Sequence, residues 1–116
     1  MKGGSSLVEY DLHPRGAKVD DALARLERIV SEARAGGPKL LALVTGYGSG
    51  GGTALIKGAV LAQCRRYVEQ NHIRGFLDGE KAGDVFCAEA LAFPDLWALP
   101  PAAKRSPNPG VVYVAV

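Results

Sequence analysis

Two short stretches of the chain combine residue types and spacings that suit chemistry on a phosphate group. In Tyr10-Asp11-Leu12-His13 a carboxylate and an imidazole stand two positions apart. Residues at that spacing point the same way on a strand, so Asp11 and His13 would share one side of a sheet edge. An imidazole titrates near pH ~6.5, and a neighbouring carboxylate raises it towards working pH, which suits general acid–base work on a water or hydroxyl. The plainer reading of the same pair is a local hydrogen bond at a strand end.

The second stretch is Gly46 to Gly52, five glycines interleaved with Tyr47 and Ser49. A strand, a glycine-rich turn and a helix together present backbone N–H groups and a positive helix end to an anion. Gly46, Gly48 and Gly51 satisfy the pattern GxGxxG, but so much glycine meets it easily by chance. The dinucleotide fingerprint also needs an acid about 20 residues further on, where this chain has Asn71. A nucleotide-triphosphate loop would place its Lys-Ser/Thr pair on Gly52 and Thr53, without the lysine. What remains is a ligand-free turn, or a loop and helix start that contact the phosphates of a nucleic acid. Lys57, one turn into the following helix, and Arg15, just after the Asp-His segment, stand where they could reach a phosphate held by that loop. Lys18, Arg65, Arg66, Arg74, Lys104 and Arg105 add basic character, although a solvated face explains such residues equally well.

Composition limits what can surround these residues. The chain has 116 residues, 47% apolar and 22% charged, with a mean hydropathy of +0.04. These values suit one soluble globular domain with its own apolar core. Fourteen Lys and Arg against twelve Asp and Glu give a net charge of +2, too small to prove a polyanionic partner. The longest apolar run, Leu40–Val44, is far below the ~20 residues of a membrane span. Residues 1–6 lack the apolar stretch of a secretory signal and read as a flexible tail, so a cytoplasmic location is expected. Cys64 and Cys87 lie among apolar residues without metal-ligand spacing and read as buried reduced thiols. With only His13 and His72 as imidazoles, a structural zinc site is not expected.

The elements that must position the candidate residues follow from periodicity. Leu7–His13 alternates, with Val8, Tyr10 and Leu12 on one face and Glu9, Asp11 and His13 on the other, as in a half-buried strand. Val19, Ala22, Leu23, Leu26, Ile29, Val30 and Ala33 repeat at three and four, a helix from about residue 20 to about 35 ended by Gly36, Gly37 and Pro38. Lys39–Thr45 is a short apolar run suited to a strand buried on both faces. Thr53 is the expected N-cap of a second helix that carries Leu55, Ile56, Ala59, Val60, Cys64, Tyr67 and Val68 inward and ends near Asn71. His72–Leu77 reads as a third strand, and Val111–Val116 is the strongest strand signal of all. Between them, Asp84–Asn108 mixes Phe86, Phe93, Trp97 and Leu99 with a run of prolines that excludes a long helix or a central strand. It reads as an irregular excursion with one helical turn near Ala88–Ala92, its aromatics covering the core or forming a protein-binding patch. The order β-α-β-α-β-β predicts an α/β two-layer sandwich, a four-stranded mixed sheet with two helices.

Several of these segments together resemble the Smr (small MutS-related) domain family. Tyr10-Asp11-Leu12-His13 is similar to that family's Leu-Asp-Leu-His-Gly strand end. Gly16-Ala17-Lys18-Val19-Asp20-Asp21-Ala22-Leu23 is similar to its Gly and Val-Glu-Glu-Ala-Leu helix start. Val44-Thr45-Gly46-Tyr47-Gly48 resembles its Thr-Gly-Lys-Gly loop, and Gly52-Thr53-Ala54-Leu55-Ile56-Lys57 the Gly-x-Leu-x-Lys helix start after it. Phe76–Glu80 and Gly110–Val114 resemble its late strand and terminal Gly-x-Tyr-Val strand. The likeness covers about residues 7–80 and 110–116 in the family's order. It makes residues 7–116 a single Smr-like domain with an insertion at about 84–108, and it implies a fold similar to the C-terminal domain of translation initiation factor three. The chain departs from the pattern in the Pro14-Arg15 spacer before Gly16, in Tyr47 where the family has lysine, in the expanded glycine loop and in the insertion.

The resemblance implies binding of DNA or RNA and, in many members, nicking of phosphodiester bonds as an endonuclease. On that reading Asp11 and His13 are the catalytic pair. Arg15, Thr45, Gly46, Tyr47, Gly48 and Lys57 bind the substrate, with Tyr47 placed to stack on a base where a lysine would have met phosphate. A divalent cation, magnesium or manganese, is the one cofactor such a reaction would call for, with Asp11 either orienting His13 or helping to bind that ion. The alternative is a non-catalytic module docking on RNA, a ribosome or a protein through the same groove, with the 84–108 insertion as a further partner surface.

Overall fold

The computed structural model describes residues 7–12, 18–37, 39–46, 52–81, 90, 92–94 and 110–116. Strand β1 (Leu7–Asp11) leads into helix α1 (Val19–Arg34), then β2 (Leu40–Val44), α2 (Gly52–Glu69), β3 (Gly75–Asp78), a single 3-10 turn (Gly79–Lys81) and β4 (Val111–Ala115). The four strands form one mixed sheet in the order β1-β2-β4-β3, and with its two helices this is the expected α/β architecture. β1 and β2 are parallel, Asp11 lying opposite Val44, and Leu12 N–H extends the ladder by donating to the Val44 carbonyl at 2.8 Å. β4 is antiparallel to both β2 and β3, so β1, β2 and β3 all run the same way.

The sheet order explains the strand compositions. β2 and β4 are central, and the LLALV and VVYVA runs suit positions covered on both faces, where every residue except the half-buried Val44 is buried. β1 and β3 are edge strands, and β1 keeps the expected alternation: Glu9 and Asp11 are exposed while Val8 and Tyr10 are half-buried. α1 and α2 pack on one face, where Leu26, Ile56, Val60 and Cys64 meet Leu41, Leu43, Val112 and Val114. On the opposite face Leu40, Ala42, Leu77, Val111, Tyr113 and Ala115 pack with Ala90 and Phe93 from the 84–108 segment. Phe93 therefore covers core, and Phe93 N–H donates to the Ala90 carbonyl at 3.1 Å, a turn that overlaps the end of the expected 88–92 region. Phe86, Cys87, Trp97, Leu99 and the tail 1–6 lie outside the described residues.

Local signals set the helix ends. At the start of α1 the Asp21 carboxylate accepts the Lys18 N–H at 3.1 Å, and Asp20 and Asp21 face the positive end of the helix. At its end Gly36 adopts φ +115°, Gly36 N–H donates to Ala33 and Gly37 N–H to Glu32, the paired bonds of a Schellman cap. α2 ends the same way without glycine: Asn71 takes φ 61°, Asn71 N–H reaches Val68, His72 N–H reaches Tyr67, and the His72 ring stacks on Tyr67 at 5.9 Å.

Three expectations are corrected. The third strand begins at Gly75 rather than His72, because His72 is consumed by the α2 cap and its ring stack. Helix α2 begins at Gly52, so Thr53 belongs to its first turn and is not the N-cap. Leu55, expected inside, is 66% exposed, since Ile56, Val60, Cys64 and Tyr67 already fill the inner stripe. No helix among the described residues is long and apolar enough to cross a membrane.

Gly75 shows how closely the second face is covered. A Cβ there would stand 2.7 Å from Pro94 Cδ and 3.9 Å from Phe93 Cδ1. A proline ring cannot swing aside, so Gly75→Ala should push the Phe93 cover off β3 and lower stability by about 1–3 kcal/mol, read from urea denaturation.

Cys64 is completely buried, and burial pushes its thiol up from an ordinary 9.0 to about 12. The raised folded-state value means that its contribution is intact below pH 9 and is lost as pH climbs towards 12. In that window the unfolded chain releases a proton that the folded chain keeps, and stability should fall by about 1.4 kcal/mol per pH unit. Tyr67 and Tyr113 are also raised, mainly by burial, and act in the same direction. Denaturation curves at pH 7, 9 and 10.5 should show this slope, and Cys64→Ala should lessen it, leaving the part due to the tyrosines.

Candidate nucleic-acid interface

The strand directions bring the C-terminal ends of β1, β2 and β3 and the start of β4 to one rim of the sheet. Asp11 closes β1 there, exposed, with its side chain on the face away from the helices. Its carbonyl accepts Arg25 Nε at 2.7 Å, which ties the middle of α1 to the end of β1. Next to it, β2 runs into Thr45 and Gly46, and α2 opens at Gly52 after the glycine-rich turn. The parallel pairing thus brings the Asp11 end and the glycine-loop end side by side. His13, Arg15, Tyr47 and Gly48 lie outside the described residues.

Thr45 and Gly46 are occupied structurally. Thr45 is fully buried, its N–H donating to the Gly110 carbonyl at 2.8 Å and its Oγ1 lying 3.3 Å from the same oxygen. Gly46 takes φ +84° and turns its own N–H to Gly110 at 3.2 Å. A substrate role for Thr45 and for the Gly46 amide is therefore at odds with the structure: the hydroxyl is sealed from solvent and the amide already has an acceptor. Both residues fasten the base of the loop to β4.

Lys57 is also placed differently from the expectation. Its Nζ lies 3.0 Å from Asp78 Oδ1, at the end of β3, and 3.6 Å from Glu80 Oε1. Asp78 Oδ1 also accepts the Glu80 N–H at 3.0 Å, so one carboxylate both caps the 3-10 turn and holds the lysine. The Lys57 side chain is only 15% exposed and its charge is compensated, so a phosphate would have to compete with the Asp78 and Glu80 carboxylates to use it. The sequence reading missed this cluster and the Arg25 tie. The run Phe76–Glu80 carried the only signal for the first, because a β3 parallel to β2 ends beside the first half of α2.

Among the described residues no three His, Cys, Asp or Glu side chains gather closely enough to hold a metal ion. The described donors therefore do not by themselves make a site for a divalent cation. The part of the 84–108 segment that is described, Phe93–Pro94, packs against Gly75, at the end of β3 remote from the rim. Removing the lysine would strand Asp78, which is itself only 18% exposed. Lys57→Met is accordingly expected to lower stability by about 1–3 kcal/mol, and Lys57→Met with Asp78→Leu to recover most of it in a double-mutant cycle by chemical denaturation. No family model, curated protein or solved structure matches the chain.

Proposed function

We propose that the chain is an Smr-like domain that binds nucleic acid at the rim shared by β1 and β2, with Asp11 and His13 as the pair that would nick a phosphodiester. One observation carries the reading: the parallel register that sets Asp11 opposite Val44, so that the Asp-x-His segment and the glycine-rich turn leave the sheet from neighbouring strand ends. In the hydrolytic step His13 would take the proton of the attacking water or hydroxyl as its oxygen bonds to phosphorus and would return it to the oxygen of the P–O bond that breaks, while Asp11 orients the imidazole. Arg15 and the main chain of the glycine turn beyond Gly46 meet the phosphate, and Tyr47 offers a stacking face to a base.

The non-catalytic docking reading is favoured by the engagement of Lys57 with Asp78 and Glu80 and of the Gly46 amide with Gly110, since both remove groups that would stabilise charge on a scissile phosphate. Nicking of supercoiled plasmid and of structured RNA, with magnesium or manganese supplied, separates the two. Wild type should cut and His13→Ala and Asp11→Asn should lose at least tenfold in rate. Binding without cleavage, weakening with salt by a slope that Arg15→Ala reduces by about 1, is the docking outcome. Absence of binding to either polymer at low salt overturns the proposal in both forms.

A further inference from the structure

A groove of about 530 Å³ runs between α1 and α2 on the outer side of the helix layer, a size that suits a small-molecule site. Val30 and Tyr67 lie buried beneath it, and Glu27 and Arg34 stand exposed along its α1 wall. Positions seven apart leave a helix in nearly the same direction, so these two charges share one flank about 10 Å apart along the axis. Among the described residues neither forms an ion pair. On the α2 wall Gln63, Tyr67 and Gln70 recur at four and three, and the His72 ring stacks on Tyr67 at 5.9 Å. Arg66 Nη1 donates to Gln63 Oε1 at 3.1 Å, and the Gln63 side chain hydrogen-bonds the Tyr67 phenol. That phenol is raised by burial and, next, by the Glu27 carboxylate, which is therefore within electrostatic reach of the groove floor. α1 and α2 each run back between strands of one direction, so the helices point the same way. Arg34 is thus level with Gln70 and His72, and Glu27 with Gln63 and Tyr67, which gives the groove one positive and one negative end. Carbonyls in the last turns of both helices, which would repel an anion, already accept the N–H groups of their caps.

We propose that this groove binds a linear zwitterion of about tripeptide length, its amine on Glu27 and its carboxylate on Arg34. An extended chain advances about 3.3–3.6 Å per residue, so three residues span the two charges. A free amino acid holds its own charges too close together to meet both, and a polyanion or a polyamine would set like charge against one of them. The Val30 and Tyr67 floor suits small apolar side chains between the two ends, and the Gln70 side-chain amide adds a donor beside the carboxylate. No residue of the groove belongs to the rim, so this assignment stands apart from the Smr-like reading.

The test is a nuclear magnetic resonance titration of the isotope-labelled full chain with trialanine bearing free ends. Saturable shifts are expected within residues 23–34 and 63–72. Acetylating the amine should weaken binding about two- to fivefold, the scale of an exposed ion pair, and amidating the carboxylate should do the same. Glu27→Gln should lower affinity for trialanine by that factor and become indifferent to acetylation, and Arg34→Gln should become indifferent to amidation. Both substitutions lie on exposed helix surface, so their Tm should match wild type. Dialanine, too short to bridge the pair, should lose a similar factor. The blocked peptides probe the charge pairing without any change to the protein. Absence of saturable shifts at millimolar trialanine would overturn the proposal. Equal affinity for the free and the doubly blocked peptide would overturn the pairing and make the groove a cleft blind to charge. Shifts centred on the rim or on β3 would overturn the location.

Discussion

The slot between β2 and β3 is the constraint on which the rest depends. The two strands run the same way, one strand width apart, and the last strand of the chain enters between them in the opposite direction. Every residue of β4 is buried, because each of its faces meets a different core. Where it enters, the Gly110 carbonyl collects the Thr45 amide, the Gly46 amide and the Thr45 hydroxyl. That one oxygen joins the end of β2 to the start of β4 and so fixes where the glycine-rich turn departs. A sheet whose middle depends on its final strand is built from pairings distant in sequence, a topology associated with slower folding than a local hairpin order.

The two cores on either side of β4 are unequal in construction. On the helix face, long aliphatic side chains from α1 and α2 interdigitate with alternate residues of β2 and β4, and Cys64 acts there as a small apolar group. On the other face the cover described is a single turn carrying Ala90 and Phe93, laid so close to β3 that Gly75 has no room for a side chain. Ala90 and Phe93 therefore belong to the second layer that lets a central strand be apolar throughout. Without it, Leu40, Ala42, Tyr113 and Ala115 would form an apolar face in water, large enough to favour association.

Periodicity made the central elements legible. α1 and the runs of β2 and β4 are set by burial patterns that need no knowledge of the partner, and alternation of strand and helix predicts parallel neighbours with their C-terminal ends together. The nearness of the β1 and β2 C-terminal ends follows from that rule, whereas the register that sets Asp11 opposite Val44 does not. What could not be read depends on where a distant element lands. His72 looks like strand until Asn71 adopts a left-handed conformation and folds the histidine back onto Tyr67. Lys57 looks like a phosphate ligand until β3, brought two places along from β2 by the inserted β4, sets Asp78 beside it. The Gly46 amide looks available until Gly110 arrives from 64 residues away.

These late arrivals change the electrostatics of the rim more than its shape. In the reading from sequence, a lysine, a threonine hydroxyl and several amides surround one phosphate. In the folded chain the lysine is bound by two carboxylates, and the hydroxyl and the first amide serve a carbonyl. An anion held here on the Smr-like reading would draw its contacts from Arg15, His13 and the main chain beyond Gly46, leaving Lys57 to fasten α2 to β3. On that reading the fold would serve as a platform, and recognition would belong to residues 13–17 and 47–51. If the Smr-like reading holds, the identity of each residue in 13–17 and 47–51 would matter more to affinity than a change in the strands, and Tyr47 in place of a lysine would let base stacking take over part of the work of charge.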